Sequence, residues 1–237
     1  MTDVNILVLA AASRDPLTIQ EEYYPPCLIE TEGLSLLERI IKTTSGVRNA
    51  HYSYAFLKSD IQHFHLDKIS ELITPGSLSI SMAAGVQGSA CTALYAACSL
   101  NQEAELLILS ANELVDINCG EVLSNFRSRS LDAGTVTFSS LHPRYSYVRL
   151  ENDLVQEAAQ RRPISKDATT GLFWFKNCKI FVDAVKRQIL KSNSLEGQFY
   201  IAPCFNELIL NQFKVGVIKI ENSSYFPYKK NPKSISE

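Results

Sequence analysis

Apolar runs of strand length alternate with helical stretches over the first 110 residues, and this alternation constrains the fold of the chain. Residues 4–10, apolar apart from Asn5, and residues 106–109 form apolar runs, which are typical of parallel strands covered on both faces. The predicted elements are strands over 4–10, 51–57, 77–82 and 105–110, and helices over 34–46, 60–73 and 88–100. Their order, β-α-β-α-β-α-β, predicts right-handed crossovers and a mostly parallel sheet.

The pattern changes after residue 115. Strand-like segments follow in quick succession, and residues 151–153 are predicted to join two of them as a hairpin. The predicted elements are helices over 116–130, 178–190 and 203–210, and strands over 134–138, 145–150, 154–158, 170–175 and 214–220. Asp60 and Asp116 are predicted to cap helices. The predicted fold class is α/β, with a Rossmann-like, mostly parallel mixed sheet and helices on both faces.

The length of 237 residues and the formal net charge of −2 limit the class of protein. Because the sequence has no run of five like charges, there is no electrostatic support for non-specific nucleic-acid binding. No apolar run reaches the roughly 18 residues of a membrane span, and six cysteines without a C-x-x-C pair predict buried thiols in a reducing compartment. We therefore predict a cytoplasmic protein without a nucleic-acid or membrane partner. Residues 1–221 are predicted to form one domain, and residues 222–237 a polar tail.

Two neighbouring features predict the position of a ligand site. Gly88 marks a turn that opens the predicted helix 88–100, and the buried strand 105–110 ends abruptly in the polar pair Asn112-Glu113. In an open α/β sheet, ligands bind at the carboxyl ends of strands and at helix N-termini, where free backbone N–H groups point outward. Residues 11–14 follow the first strand, so we expect that loop to contact phosphate.

Short motifs follow one another in a fixed order over roughly residues 4–220. They are Val8-Leu9-Ala10-Ala11, Pro25-Pro26-Cys27-Leu28-Ile29-Glu30 with Gly33 and Leu37-Glu38, Gln87-Gly88-Ser89-Ala90, residues 106–112, residues 133–138, residues 142–148, residues 155–163 and residues 168–175. This ordered set resembles the sugar-phosphate nucleotidylyltransferases, a family with a glycosyltransferase-A type fold. The resemblance implies attack of a sugar 1-phosphate on the α-phosphorus of an NTP, with Mg²⁺ offsetting negative charge.

The resemblance also implies roles for individual residues. It implies nucleotide binding by the loop after the first strand and by the glycine turn, at Ala10, Ala11, Ala12, Ser13, Gln87, Gly88 and Ala90. Acceptor binding is implied at Arg144, Tyr147 and Gly171, and catalytic cations at Arg14 and Arg162. Mg²⁺ is expected near Asn112, Glu113, Asn206 and Glu207. The implied partners are an NTP and a phosphorylated small-molecule acceptor.

Three departures from the family pattern weaken the expected catalytic site. Ala12 and Asp15-Pro16 replace the glycines of the loop, and a Cβ limits how closely the backbone approaches phosphate. Pro26 replaces the signature lysine, which removes a cation. Asn112 replaces the metal-binding aspartate, and an amide oxygen brings no negative charge to a hard cation.

The predicted function is transfer of an NMP group from an NTP to a sugar 1-phosphate or a similar phosphorylated molecule, for precursors of surface polysaccharide. Two alternatives stay open. The lost glycine, lysine and aspartate are consistent with a catalytically impaired relative that binds a nucleotide. A glycosyltransferase that uses a nucleotide sugar is the other alternative, and its usual D-x-D motif is approached by Asp116-Ile117-Asn118.

Overall fold

The computed structural model of the chain describes residues 2–11, 23–221, 223–226 and 229–230. Nine strands form one sheet: β1 (Val4–Ala10), β2 (Ala50–Leu57), β3 (Leu78–Met82), β4 (Glu105–Ser110), β5 (Ala133–Ser139), β6 (Ser146–Glu151), β7 (Leu154–Gln160), β8 (Asp167–Phe175) and β9 (Val215–Lys219). They lie in the order β6-β7-β9-β5-β8-β4-β1-β2-β3. Three two-residue pairings accompany this sheet: Glu30–Thr31 with Leu34–Ser35, Glu113–Leu114 with Ser224–Tyr225, and Tyr23–Tyr24 with Lys229–Lys230.

Seven α-helices connect these strands within the described part of the chain. They are α1 (Leu36–Thr43), α2 (Lys58–Phe64), α3 (Leu66–Ile73), α4 (Ser89–Ala97), α5 (Cys119–Ser128), α6 (Cys178–Leu190) and α7 (Cys204–Leu210). The strand β1 shows why both faces of the sheet are covered. Its Leu7 packs in the core layer that contains α4, α6 and α7, whereas Ile6 and Val8 pack in the layer that contains α1, α3 and α5.

Parallel and antiparallel strands occupy different halves of the sheet. β4, β1, β2 and β3 are parallel, as the βα alternation of the first half predicts. β8 joins β4 in the antiparallel direction, and in the second half of the sheet only β5 and β9 form a parallel pair. The predicted mixed α/β architecture is confirmed, and three of the four parallel pairings among the described strands lie in the first half of the chain.

The predicted hairpin between β6 and β7 is confirmed, and its turn has a conformational cause. Glu151 pairs with Leu154, which leaves Asn152 and Asp153 as a two-residue loop. Both loop residues have positive φ angles, of 50° and 61°. Asn and Asp tolerate this left-handed conformation better than most residues, and the resulting turn matches the twist of the flanking strands.

Both predicted aspartate caps are wrong. α5 begins at Cys119 and is capped by Asn118, whose side chain accepts a hydrogen bond of 2.9 Å from the N–H of Gly120. Asp116 therefore lies before the helix, in the connection from β4. Asp60 lies inside α2, because this helix starts directly after β2 at Lys58. The predicted helix 60–73 is two helices, since His65 adopts a left-handed conformation that ends α2.

A buried carboxylate lies at the amino end of β4. Glu105 is 5 % exposed and accepts hydrogen bonds from Nε and Nη2 of Arg127, at 2.9 and 3.0 Å. Trp174 Nε1 donates a third, of 2.7 Å, to the same carboxylate. These three hydrogen bonds from two residues satisfy the charge that burial would otherwise penalise, so the network ties α5 and β8 to β4.

The polar segment after residue 221 is not wholly a loose tail. Ser224–Tyr225 pairs antiparallel with Glu113–Leu114, directly after the carboxyl end of β4. The N–H of Phe226 donates a hydrogen bond of 2.7 Å to the carbonyl of Asn112. The described residues of this segment therefore pack on the domain. None of the helices in the described ranges is both long enough and apolar enough to cross a lipid bilayer.

Candidate functional site

A cavity of about 390 Å³ lies where β1 and β4 end and where α4 begins. The end of β1 and the residue after it contribute Leu9, Ala10 and Ala11, and Gly88 and the start of α4 contribute the backbone turn with Ser89 and Thr92. The other side is formed by β6, β7 and β8 and by the loop before α7, with Ser146, Gln160, Arg161, Thr169, Thr170, Gly171, Gln198 and Tyr200. The volume lies in the range of small-molecule sites, and strand ends in α/β sheets are the usual position of such sites.

The turn at Gly88 is held against the loop that contains Phe199. Gly88 has a φ of +92°, and a Cβ at this position would lie 2.3 Å from the carbonyl oxygen of Phe199. The N–H of Ala90 donates to that oxygen at 3.0 Å, and the N–H of Phe199 donates to the carbonyl of Gln87 at 2.9 Å. Glycine is required here for both its conformation and its lack of a side chain.

Only part of the glycine turn that is predicted to bind the nucleotide borders the cavity. Gly88 and Ser89 line it, whereas Ala90 is fully buried in the core layer beneath α4. The side chain of Gln87 is exposed and is absent from the cavity lining. The backbone of this turn thus forms the cavity wall, and Ala90 contributes packing.

Glu113 and Asn112 lie at the floor of the cavity, after the end of β4. Oδ1 of Asn112 accepts a hydrogen bond of 2.5 Å from the hydroxyl of Ser110. Oε1 of Glu113 accepts one of 2.6 Å from the hydroxyl of Ser223. Burial raises the pKa of Glu113 to about 7, against the opposing effects of Ser223, of a backbone hydrogen bond from Gly171 and of the nearby charge of Arg144.

Gly171 allows β8 to lie close to this floor. A Cβ on Gly171 would lie 2.4 Å from Cβ of Ser110 and 3.3 Å from Oε2 of Glu113. The glycine therefore has a steric reason for its place in the strand, since any side chain would push β8 away from the end of β4. Gly171 borders the cavity, in the position that the resemblance assigns to the acceptor.

Two arginines line the cavity among the described residues, and both lie against tyrosine rings. The guanidinium carbon of Arg144 is 5.0 Å from the ring centre of Tyr225 and 5.6 Å from that of Tyr145. Arg161 lies 5.8 Å from the ring of Tyr200 and donates to Glu196 at 3.3 Å. Arg144 has no carboxylate within salt-bridge distance among the described residues, and its charge acts at longer range on Glu113, whose pKa burial raises and this charge lowers.

Tyr147 and Arg162 do not line the cavity. Tyr147 is fully buried, and its hydroxyl donates a hydrogen bond of 2.6 Å to the carbonyl of His142. Arg162 is exposed and donates to Oε1 of Glu157 at 2.8 Å. The predicted acceptor-binding role of Tyr147 and the predicted catalytic role of Arg162 are therefore corrected: the first side chain packs and the second forms a surface ion pair.

Asn206 and Glu207 also have other partners and lie outside the cavity lining. The amide of Asn206 accepts from the N–H of Ala158 and donates to its carbonyl, both at 2.8 Å, which caps an edge of β7. Glu207 is 3 % exposed and accepts hydrogen bonds of 2.7 and 2.9 Å from Nζ of Lys191. The predicted metal ligands on α7 are thus used to hold the helix in place, and this prediction is corrected.

The described residues do not fit a dedicated Mg²⁺ site. The described ranges contain no group of three or more His, Cys, Asp or Glu side chains that could hold a metal. Mg²⁺ is held in proteins by carboxylates and other oxygen donors at short distance. Among the described residues, the one carboxylate that lines the cavity is that of Glu113, and it is bonded to Ser223, whereas the amide oxygen of Asn112 is bonded to Ser110.

The structure describes only the beginning of the loop after β1 that is predicted to contact phosphate. Ala10 and Ala11 line the cavity. Ala12, Ser13 and Arg14 lie outside the described residues, so their roles stay predictions. Pro26 lines the cavity with the buried Cys27, and it gives an apolar wall where the resemblance expects a lysine.

Some cavity residues were not predicted as binding residues. The hydroxyl of Ser146 bonds to the amide oxygen of Gln160, and these two residues are paired across β6 and β7. The predicted hairpin could have brought them together, but a bulge at Arg149 and Leu150 shifts the register between turn and cavity. Tyr225 carries no local signal at all, because it reaches the cavity by the return of the chain after β9.

The comparison with known proteins finds relatives in structure alone. No protein-family model matches the sequence, and no curated protein matches it significantly. A nucleoside-diphosphate-sugar pyrophosphorylase from Vibrio cholerae has a TM-score of 0.73, with 16 % identity over 94 % of each chain. The inositol-1-phosphate CTP transferase of T. maritima has a TM-score of 0.66, with 12 % identity over 100 % of this chain and 93 % of that one.

A third solved structure, UDP-glucose pyrophosphorylase in complex with UDP-glucose, has a TM-score of 0.68. It is 11 % identical and covers 93 % of this chain and 91 % of its own. The chain therefore has the fold of the sugar-phosphate nucleotidyltransferases, a Rossmann-like fold of the glycosyltransferase-A type. This confirms the fold that the ordered motifs imply. At these identities the likeness concerns the fold.

Proposed function

We propose that this protein binds a nucleoside phosphate in the cavity and transfers its nucleotidyl group from an NTP to a phosphorylated sugar. The position of the cavity carries this proposal. It lies at the carboxyl ends of β1 and β4, beside the Gly88 turn that opens α4. Backbone N–H groups at a helix start favour phosphate, which is the kind of ligand that the resemblance implies. Those of Gly88 and Ala90 already donate to the carbonyls of Val86 and Phe199, so the other N–H groups of this first turn would receive it.

The proposed reaction needs an acceptor beside the nucleotide. A phosphate oxygen of the sugar 1-phosphate forms a bond to the α-phosphorus of the NTP. The bond from that phosphorus to the oxygen between the α- and β-phosphates breaks, and its electron pair leaves with pyrophosphate. The polar side of the cavity includes the hydrogen-bonded pair Ser146 and Gln160, whose hydroxyl and amide groups are of the kind that contact a sugar. The product is a nucleotide-activated sugar, and we propose surface polysaccharide as its use.

A second candidate is a relative that binds the nucleotide without turnover. Hydrogen bonds at the end of β4 favour this candidate. The hydroxyl of Ser110 donates to the amide oxygen of Asn112, and the hydroxyl of Ser223 donates to the carboxylate of Glu113. Transfer between two anionic reactants needs offsetting positive charge. Pro26 supplies none at the wall of the cavity.

Isothermal titration with each NTP and with nucleotide sugars tests the binding step. We expect binding of one NTP, and a Ser89→Trp variant, which fills the cavity at the start of α4, to abolish it. Ser99→Trp is the matched control, because Ser99 is exposed beyond the other end of α4. Binding of no nucleotide ligand by a folded protein would overturn the proposal, and binding of a nucleotide sugar without any NTP favours a glycosyltransferase.

Release of pyrophosphate from the bound NTP with a panel of sugar 1-phosphates then tests the transfer step. Release with one acceptor supports the enzyme. Binding without release across the panel supports the second candidate, the non-catalytic relative.

A further inference from the structure

The chain returns after β9 to Asn112 and Glu113, two of the four residues that the resemblance assigns to Mg²⁺. We call residues 223–226 the C-terminal segment. Its Ser223 hydroxyl donates to Oε1 of Glu113 at 2.6 Å, and its Phe226 N–H donates to the carbonyl of Asn112 at 2.7 Å. The segment therefore takes up oxygens at the end of β4 that a cation would need.

The same segment also places a ring against Arg144. Tyr225 lines the cavity, and its ring centre lies 5.0 Å from the guanidinium carbon. Tyr145 lies 5.6 Å from that carbon, and Nε of Arg144 donates a hydrogen bond of 3.1 Å to Nδ1 of His142. Contacts from two rings and an imidazole restrict a side chain that is otherwise exposed.

We infer that Arg144, held by Tyr225 of the C-terminal segment, binds a phosphate group of the ligand in place of a protein-held divalent cation. This inference rests on the proposed function, because it names the group that receives the phosphate in the same cavity. The phosphate belongs to a nucleotide or to a sugar phosphate, which share this chemistry.

A guanidinium suits this role for physical reasons. Its planar fork donates two parallel hydrogen bonds to a phosphate, and these charge-assisted bonds are stronger than neutral ones. Because the tyrosine rings already restrict the side chain, less rotamer entropy is lost when the ligand binds. The negative charge of an ionised Glu113 at the cavity floor disfavours an anion there. The hydrogen bond from Ser223 holds one of its carboxylate oxygens toward the C-terminal segment.

The test is isothermal titration of the full chain with an NTP, a sugar 1-phosphate and a nucleotide sugar. Each ligand is titrated once in EDTA and once in excess MgCl₂. We expect the affinity of the wild-type protein to change less than about threefold between the two buffers. Arg144→Ala is expected to weaken binding about ten- to hundredfold, and Arg144→Lys less, since a lysine keeps the charge but loses the fork.

Tyr225 is tested as a positioning residue by a conservative variant. Tyr225→Ala is expected to weaken binding at least about threefold, whereas Tyr225→Phe retains the ring and restores most of the affinity. Arg149→Ala and Tyr95→Ala are the matched controls, because both residues are exposed and lie outside the cavity lining. Circular dichroism and thermal melts check that each variant is folded.

The outcomes separate this inference from the proposed function. If the wild-type protein binds none of the three ligands, both the proposed function and the inference are overturned. If it binds but requires Mg²⁺, or if folded Arg144→Ala binds as the wild type does, the inference alone is overturned. The ligand that loses affinity in Arg144→Ala identifies which phosphate the arginine receives.

Discussion

The hydroxyl of Ser223 donates a hydrogen bond of 2.6 Å to Oε1 of Glu113, which lies 110 positions earlier in the chain. This bond joins the segment that follows β9 to the end of β4, at the floor of the cavity. It stabilises the ionised form of Glu113, yet burial has the larger effect and raises the pKa of this carboxyl to about 7. The site thus holds a carboxyl that changes charge near neutral pH.

Glu113 is therefore expected to make stability depend on pH. Between its ordinary pKa of 4.5 and its folded value of about 7, the folded protein retains a proton that the unfolded chain has lost. Stability from this group is complete below the lower value and falls as the pH rises through this window. Relative to Glu113→Gln, the wild type should lose on the order of 3 kcal/mol in unfolding free energy between pH 4 and pH 8.

Urea unfolding at a series of pH values measures this difference. Glu103→Gln is the control for the change in net charge, because Glu103 is exposed in the turn before β4. A difference between wild type and Glu113→Gln that stays constant with pH would contradict the assigned environment of Glu113.

Gly88→Ala is expected to destabilise the fold through two additive effects. The φ of +92° is unfavourable for alanine, and the added Cβ would lie 2.3 Å from the backbone oxygen of Phe199, which no side-chain rotation relieves. We expect a loss of about 3 kcal/mol. Gly76→Ala serves as the matched control, since Gly76 has a φ of +80° but open space around its Cβ position, and it should lose about 1 kcal/mol.

Chemical denaturation of the two glycine variants isolates the steric part of the effect. Equal losses in both would show that the Phe199 loop moves freely, contrary to the hydrogen bonds that join it to Gln87 and Ala90.

Asn112→Asp is expected to create affinity for Mg²⁺ where the wild type has little. The change places a second carboxylate beside Glu113 and next to the hydroxyl of Ser110, and hard cations prefer such charged oxygen ligands. Without the cation, the two carboxylates repel each other, so the variant should be less stable in EDTA than in MgCl₂.

Thermal melts in the two buffers, together with titration of Mg²⁺, test this variant. Asn125→Asp on the exposed surface of α5 is the control for the added charge. Equal melting temperatures in EDTA and MgCl₂ for Asn112→Asp would show that the strand end does not accept a metal even with the aspartate in place.

Local sequence patterns were sufficient to predict most of the fold, because the spacing of apolar residues shows which positions are buried. The apolar run of β1 and the two-residue loop at Asn152 and Asp153 each specify their own element. Local sequence patterns do not reveal contacts between distant parts of the chain. The bonds of Ser223 to Glu113 and of Asn206 to Ala158 join residues 110 and 48 positions apart, and nothing in the local composition distinguishes these side chains from metal ligands or solvent-exposed ones.

Arg127→Ala is expected to destabilise the protein without changing ligand affinity. It removes two of the three hydrogen bonds to the buried carboxylate of Glu105 and leaves only the bond from Trp174. Loss of a partner from a buried ion pair is costly, and since Arg127 is partly exposed we expect about 2–3 kcal/mol. Arg149→Ala, which breaks an exposed pair with Glu157 at 3.4 Å, should lose less than about 1 kcal/mol.

The length of β4 separates the ligand site from the Arg127→Ala substitution. Glu105 lies at the amino end of the strand and Ser110 at the carboxyl end, which places the network about 17 Å from the cavity floor. Titration of folded Arg127→Ala with the nucleotide should therefore give the wild-type affinity, while urea unfolding shows the lost stability. A loss of affinity in the folded variant would show that the two ends of the strand are coupled, because β4 is then not a rigid support for the cavity.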